Sequence, residues 1–209
     1  MPSAARCQPY PQVYTFPRKV GTLLGSLRAR IPQHPHANEK QSMTPAEASI
    51  LAAHLLSRMQ QESAITAKLI SALPDDKVHY KIHPKSRTAL ELAWHTIATE
   101  MWFLDSIFQG EFYASASSAV PDEIKTGADA AAWYTQQFEG NFKKASKLSG
   151  EYLAQPISFF RKFDYPGVMY LQMALSHTVH HRGQLAAYLR AMGASVPAIY
   201  GSSLDESFE

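Results

Sequence analysis

Two imidazoles four residues apart are the most chemically suggestive feature of this sequence. His177 and His181 fall in a stretch with helical period. On a helix that gap stacks two side chains on one face, where both rings reach a single ion. At about 100° per residue, His181 lies roughly 60° from the centre of that helix's apolar stripe. His177 lies farther round the same side, and His180 points almost opposite, toward solvent. An isolated pair of this kind is weak evidence, since a structural pair or chance spacing accounts for most of them. His95, between Trp94 and Thr96 on an earlier helical stretch, borders a second apolar stripe, where a bundle would aim it at the facing helix. Its rival reading is a core-edge histidine satisfied by a neighbouring carbonyl or acid. Three neutral imidazoles converging in a bundle would bind a divalent ion and leave it open positions, which suits chemistry better than a purely structural clamp. Zinc, nickel, iron and copper all accept imidazole, so the residue types do not choose the metal.

The other histidines offer less. His34 and His36 stand in the leader, His54 on the first helix, and His79 and His83 in a Pro-flanked loop, where a gap of four fixes no geometry. Around the main set, Gln184 and Tyr188 continue the face of His177 and His181 and are the candidate catalytic side chains, placed to hydrogen-bond a bound group. Arg182 falls within the apolar stripe, and a buried guanidinium needs a partner. Glu62, Glu91 and Asp105 are the acids available to pair with it or to orient a ligand histidine, unless the arginine snorkels to solvent. Gly183 offers a place for a neighbouring helix to approach closely.

The elements that must position these residues are helices. Thr44-Pro45-Ala46-Glu47 has capping-box spacing with proline at the first helical position, and Pro74 closes the helix it starts. Leu51, Leu55, Ile65 and Leu69 mark its apolar face. A second helix starts at Ser86 or at the Thr88…Glu91 box and runs to Gly110, with Leu90, Trp94, Ile97, Met101, Leu104 and Phe108 as a buried stripe. A third spans about Asp129 to Leu148 and stops at Gly150. The fourth runs from near Pro166 to Gly193, with Leu171, Leu175, Leu185, Leu189 and Met192 as its stripe. Strand signals are thin, the best being Pro156 to Phe160. The fold class is therefore all-α, a single four-helix bundle.

At 209 residues, 45% hydrophobic and 18% charged, the chain suits one globular domain and a tail. No run of residues is apolar enough to span a membrane. The single cysteine, Cys7, excludes a disulfide framework and any multi-cysteine metal site. Residues 1–42 carry Arg6, Arg18, Lys19, Arg28, Arg30 and Lys40 against Glu39 alone, so the net charge of +2 is the sum of a basic leader and an acidic remainder. That leader, punctuated by Pro2, Pro11, Pro17, Pro32 and Pro35, shows no period and reads as poorly ordered. It has no secretory h-region. Met43 directly precedes the first helix and reads as the true start, with a mitochondrial transit peptide as the rival account. Domain boundaries of 1–42 and 43–209 follow, with a cytoplasmic location expected. Without aromatic interleaving or a basic stripe in the folded part, no nucleic-acid partner is expected.

The block His177-Thr-Val-His-His181-Arg182-Gly183-Gln184-Leu185, followed by Tyr188-Leu189-Arg190 and Gly193, resembles the last-helix signature of the DinB superfamily of four-helix bundles. Ser86-Arg87 leading to Glu91-Leu92-Ala93-Trp94-His95 resembles that family's second helix, and the likeness covers roughly residues 44–201. The leader has no counterpart in it. The resemblance implies a divalent metal held by His95, His177 and His181, and a homodimer. It also implies activities such as thiol-dependent S-transfer and thiol-dependent maleylpyruvate isomerisation, although other members have no known activity. The expectation is an enzyme moving a low-molecular-weight thiol onto an electrophilic small-molecule substrate. Since the folded region has no cysteine, the sulfur would come from a cofactor. A metal-dependent hydrolase, a non-catalytic metal-binding stress-response module and a metal-free interaction protein are its rivals.

Overall fold

The computed structural model describes residues 42–113 and 119–207. The chain divides into two units, Met1–His36 and Ala37–Glu209, and every described residue belongs to the second. The readings of the leader, including Cys7, His34 and His36, lie outside the described residues.

Five α-helices are present among the described residues: α1 (Pro45–Ser71), α2 (Ala89–Gln109), α3 (Gly127–Ala145), the single turn α4 (Gly150–Leu153) and α5 (Gly167–Ala191). Three of the long ones begin with complete capping boxes, Thr44 with Glu47, Thr88 with Glu91 and Thr126 with Asp129. In each, the threonine oxygen accepts an otherwise orphaned N–H while the acid accepts the N–H of the cap itself. The second helix thus starts at the Thr88 box and not at Ser86, and Glu91 is occupied in the cap. Gly110, at φ 71°, closes α2 in the left-handed region that glycine enters without penalty.

The expected end of the third helix needs correction. It stops at Ala145, and Gly150 opens α4 instead of terminating α3. A Cβ at Gly150 would lie 2.2 Å from the Pro45 carbonyl oxygen, so the glycine permits this turn to rest against the start of α1. The thin strand signal was half of a hairpin, β1 (Pro156–Phe159) paired antiparallel with β2 (Phe163–Pro166). Its turn uses positive φ at Phe160 and Arg161, residues that announce no turn, which is why the second strand escaped the sequence reading. Phe159 and Phe163 stack at 4.9 Å, and Phe159 also packs on Phe112.

The four long helices form one bundle. α1 packs on α3 and α5, and α2 packs on the same two, leaving α1 and α2 diagonal. The pairs Trp94 with Trp133, Tyr134 with Glu100, and Lys144 with Phe108 show α2 and α3 running parallel. A parallel pair requires a long connection, and residues 110–126 supply it. α2 and α5 run antiparallel, with Phe103 and Phe112 toward Tyr170 at one end and Arg87 at Tyr188 toward the other. The α1 face that enters the core is Ala48, Ala52, Leu55, Met59, Glu62, Thr66 and Leu69, a four-three repeat in which two members are polar. Leu51 and Ile65, read as core, are only partly buried.

Candidate metal centre

α2 contributes His95 and α5 contributes His177 and His181, and antiparallel packing brings the three rings together. One donor nitrogen from each falls within 4.8 Å of the others. The ring centroids are 5.0 Å apart for His95 and His177, 4.7 Å for His95 and His181, and 4.3 Å for His177 and His181. Nitrogens bound about 2.0–2.1 Å from a tetrahedral ion stand about 3.3 Å from one another. His95 Nε2 and His177 Nε2 are 3.3 Å apart, so this edge of the cluster already has the dimension of a ligand pair.

The outer nitrogens are oriented by side chains one turn away. Gln184 Oε1 lies 2.7 Å from His181 Nδ1; with that nitrogen donating, Nε2 is left with the lone pair. The amide of the same glutamine donates to His180 Nε2 at 3.1 Å, and His180 is exposed as its helical angle demanded. Thr99 Oγ1 stands 3.3 Å from His95 Nδ1. His177 Nδ1 is buried without a partner among the described residues, so packing near Phe103 holds that ring.

Burial lowers the pKa of His95 to about 4 and of His177 to about 3, with the charge of Arg87 and the neighbouring imidazoles adding to the effect. The pKa of His181 is lowered for the same principal reason. All three imidazoles are therefore neutral at ordinary pH, the form that offers a lone pair to a metal. The chemistry of the donor set fits a divalent ion.

Tyr188 donates to the backbone carbonyl of Arg87 at 3.0 Å and meets Tyr80 edge to face. Arg182 is buried, and its guanidinium reaches Glu62 Oε2 at 2.5 Å and the Tyr200 hydroxyl. Of the three acids considered, Glu62 is thus the partner, and Asp105 instead lines a cavity. Gly183 is exposed, and nothing stands within 4 Å of where its Cβ would be; the close helix approach expected there does not occur. His79, His83 and His54 are exposed.

A cavity of about 690 Å³ opens between α2 and α3, and His95 is in its wall with Trp94, Trp102, Trp133 and Arg87. Arg87 also lines an adjoining cleft that includes Gln184 and Tyr188. Sequence reasoning gave Arg87, Thr99, Trp133 and Asn141 no place in the site, since nothing local distinguishes them from surface or core residues.

A model of the DinB family matches residues 34–208. The chain belongs to the DinB family. Its match begins nine residues before Met43. Two Bacillus subtilis (strain 168) proteins are similar in sequence: the uncharacterized protein YrdA, 30% identical over 156 residues covering 73% of this chain and 90% of YrdA, and the uncharacterized protein YjoA, 28% identical over 142 residues covering 66% and 89%. Two solved structures share the fold at a TM-score of 0.59. One is the DinB-like YjoA from Bacillus subtilis, 24% identical, with coverage of 70% of this chain and 97% of that one. The other is a DinB-like protein from Bacillus cereus ATCC 10987, 25% identical, with coverage of 70% and 95%. This DinB bundle is mostly helical, as the sequence required, and no described helix is long and apolar enough to cross a membrane.

Proposed function

We propose that this DinB protein is a divalent-metal-dependent enzyme that transfers a low-molecular-weight thiol to an electrophilic small molecule. The observation that carries this reading is the convergence of three neutral imidazoles at a site reached from an aromatic cavity. A divalent ion there would supply the positive charge that lowers the pKa of a thiol or water toward neutrality. His95, His177 and His181 would hold it. Gln184 fixes the ring of His181, Thr99 that of His95, and Tyr188 secures the backbone of Arg87; these are orienting roles. Among the described residues there is no cysteine, so the sulfur arrives with the cosubstrate. In the reaction the sulfur–carbon bond forms, the leaving group departs from carbon, and the thiol proton passes to solvent. The metal is zinc, nickel or iron on this reading, and the protein a cytoplasmic homodimer.

Elemental analysis of untagged protein, followed by a panel of thiols with a generic aromatic electrophile, tests the proposal. Close to one metal per chain, lost in His177→Ala, and turnover with at least one thiol are expected. Hydrolysis of esters without thiol dependence would identify a hydrolase instead. A metal-loaded protein inert to every thiol and ester would be a binding module. Substoichiometric metal unaffected by His177→Ala would remove the centre altogether.

A further inference from the structure

The cavity between α2 and α3 has a composition that selects its occupant. Its volume of about 690 Å³ suits a small-molecule ligand. Trp94 and Trp133 are in contact in its wall, with centroids 4.6 Å apart and planes tilted by 56°, and Trp102 follows two helical turns along α2 from Trp94. Indole faces pack best against flat π-systems. Asn141 lines the same space at 7% exposure, and the bond recorded for its amide is a 3.5 Å contact to the sulfur of Met101. A thioether is a weak acceptor, which leaves most of that amide's capacity for a ligand. Trp94 Nε1 is likewise buried with no partner among the described residues.

Charge distinguishes the two ends. Lys144 lies over the ring of Phe108 at 5.7 Å and interacts with Asp105. Arg87, at the histidine end, forms no salt bridge among the described residues. Its backbone is pinned by Tyr188, while the exposed guanidinium offers the planar fork that binds carboxylates in two contacts. From His95 to Asp105 the cavity follows α2 for about 15 Å, room for a ring and a conjugated chain.

We propose that this cavity binds a flat, conjugated carboxylate, its ring packed against the Trp133 indole and its anionic end on Arg87 beside the three histidines. The assignment deepens the transferase reading and rests on it for the identity of the bound molecule as substrate. Calorimetric titration of the full-length protein with cinnamate and with its neutral amide tests it, run on protein as purified and again in the presence of a chelator. Cinnamate is expected to bind roughly tenfold more tightly than cinnamamide in both conditions. Arg87→Gln should abolish that preference, and Trp133→Leu should weaken both ligands with the helical circular dichroism unchanged. Equal affinity for acid and amide, or a preference that survives Arg87→Gln, overturns the assignment. The two readings fail separately: discrimination by untagged protein that carries no metal as purified and takes none up would sink the metal centre and leave the cavity, whereas stoichiometric metal without discrimination would do the reverse.

Discussion

Glu100 is a carboxyl group sealed inside the bundle, and burial pushes its pKa up to about 7. Tyr134 from α3 donates to it at 2.9 Å and Thr178 from α5 at 3.0 Å, while the positive charge of Arg182 works in the opposite direction to burial. A carboxyl whose folded pKa exceeds its unfolded value keeps a proton in the native state that the unfolded chain releases. Its contribution is fully present below the unfolded value of 4.5 and is lost as pH rises through about 7. The shift corresponds to a loss on the order of 3 kcal/mol across that window. The three histidines, neutral when folded and protonated when unfolded below about pH 6.5, act in the opposite direction, so the contribution of Glu100 is read as a difference between two proteins. Glu100→Gln, which keeps an acceptor for Tyr134 and Thr178, should gain stability relative to the wild type as pH rises from about 5 to about 8. Parallel pH profiles for the two proteins would show that Glu100 titrates normally. At the same scale, the i, i+4 spacing of His177 and His181 was legible because a helix converts sequence distance directly into direction. Gln184 was legible as a neighbour on their face, but its role in gripping His181 Nδ1 emerged from side-chain rotamers that spacing leaves open.

At the scale of elements, the capping boxes located helix starts because each one is a local exchange of hydrogen bonds completed within four residues. Contacts between elements are less local, and two glycines make the contrast testable. Gly127 begins α3 with its backbone against α1, where a Cβ would fall 2.3 Å from the Ile70 carbonyl oxygen. Gly183 sits mid-helix in α5 with nothing within 4 Å. Gly127→Ala should destabilise the bundle by roughly 1–3 kcal/mol through the forced separation of the two helices. Gly183→Ala should instead stabilise it by roughly 0.5–1 kcal/mol, since alanine loses less backbone entropy in a helix. Urea denaturation of both variants decides the matter, and a shared sign would contradict the packing described. Gly183 was expected to be a packing glycine because it has no side chain to hold a neighbouring helix away. What makes a glycine a packing residue is the surface that faces it, and no local pattern records that.

Across the whole described molecule, the residues after α5 fasten helices that are far apart in sequence. Tyr200 donates to Glu62 at 2.9 Å and lies over the Arg182 guanidinium. Asp205 pairs with Arg190 and accepts from the Val196 N–H, and Glu206 pairs with Lys68 and accepts from the Ala198 N–H. Exposed pairs of this kind contribute little singly, but the segment also covers the buried Arg182–Glu62 pair that joins α1 to α5. Removing residues 195–209 is expected to lower stability by roughly 1–3 kcal/mol, chiefly through loss of the Tyr200 hydrogen bonds to that pair. Thermal melting of the shortened chain checks this, and an unchanged midpoint would mean the segment is passive.

The first, second and last helices, the Thr44 and Thr88 caps and the shared face of His177 and His181 were determined by the sequence, because each depends on groups within a turn or two of one another. Whether His95 met that pair, which of three acids neutralised Arg182, and where a cavity opened were decided only by the tertiary structure. Those outcomes depend on how one helix is rotated and shifted against another, and on the parallel pairing of α2 with α3 across a long connection. Such relations are fixed by packing summed over the entire bundle, so no single stretch of chain contains them.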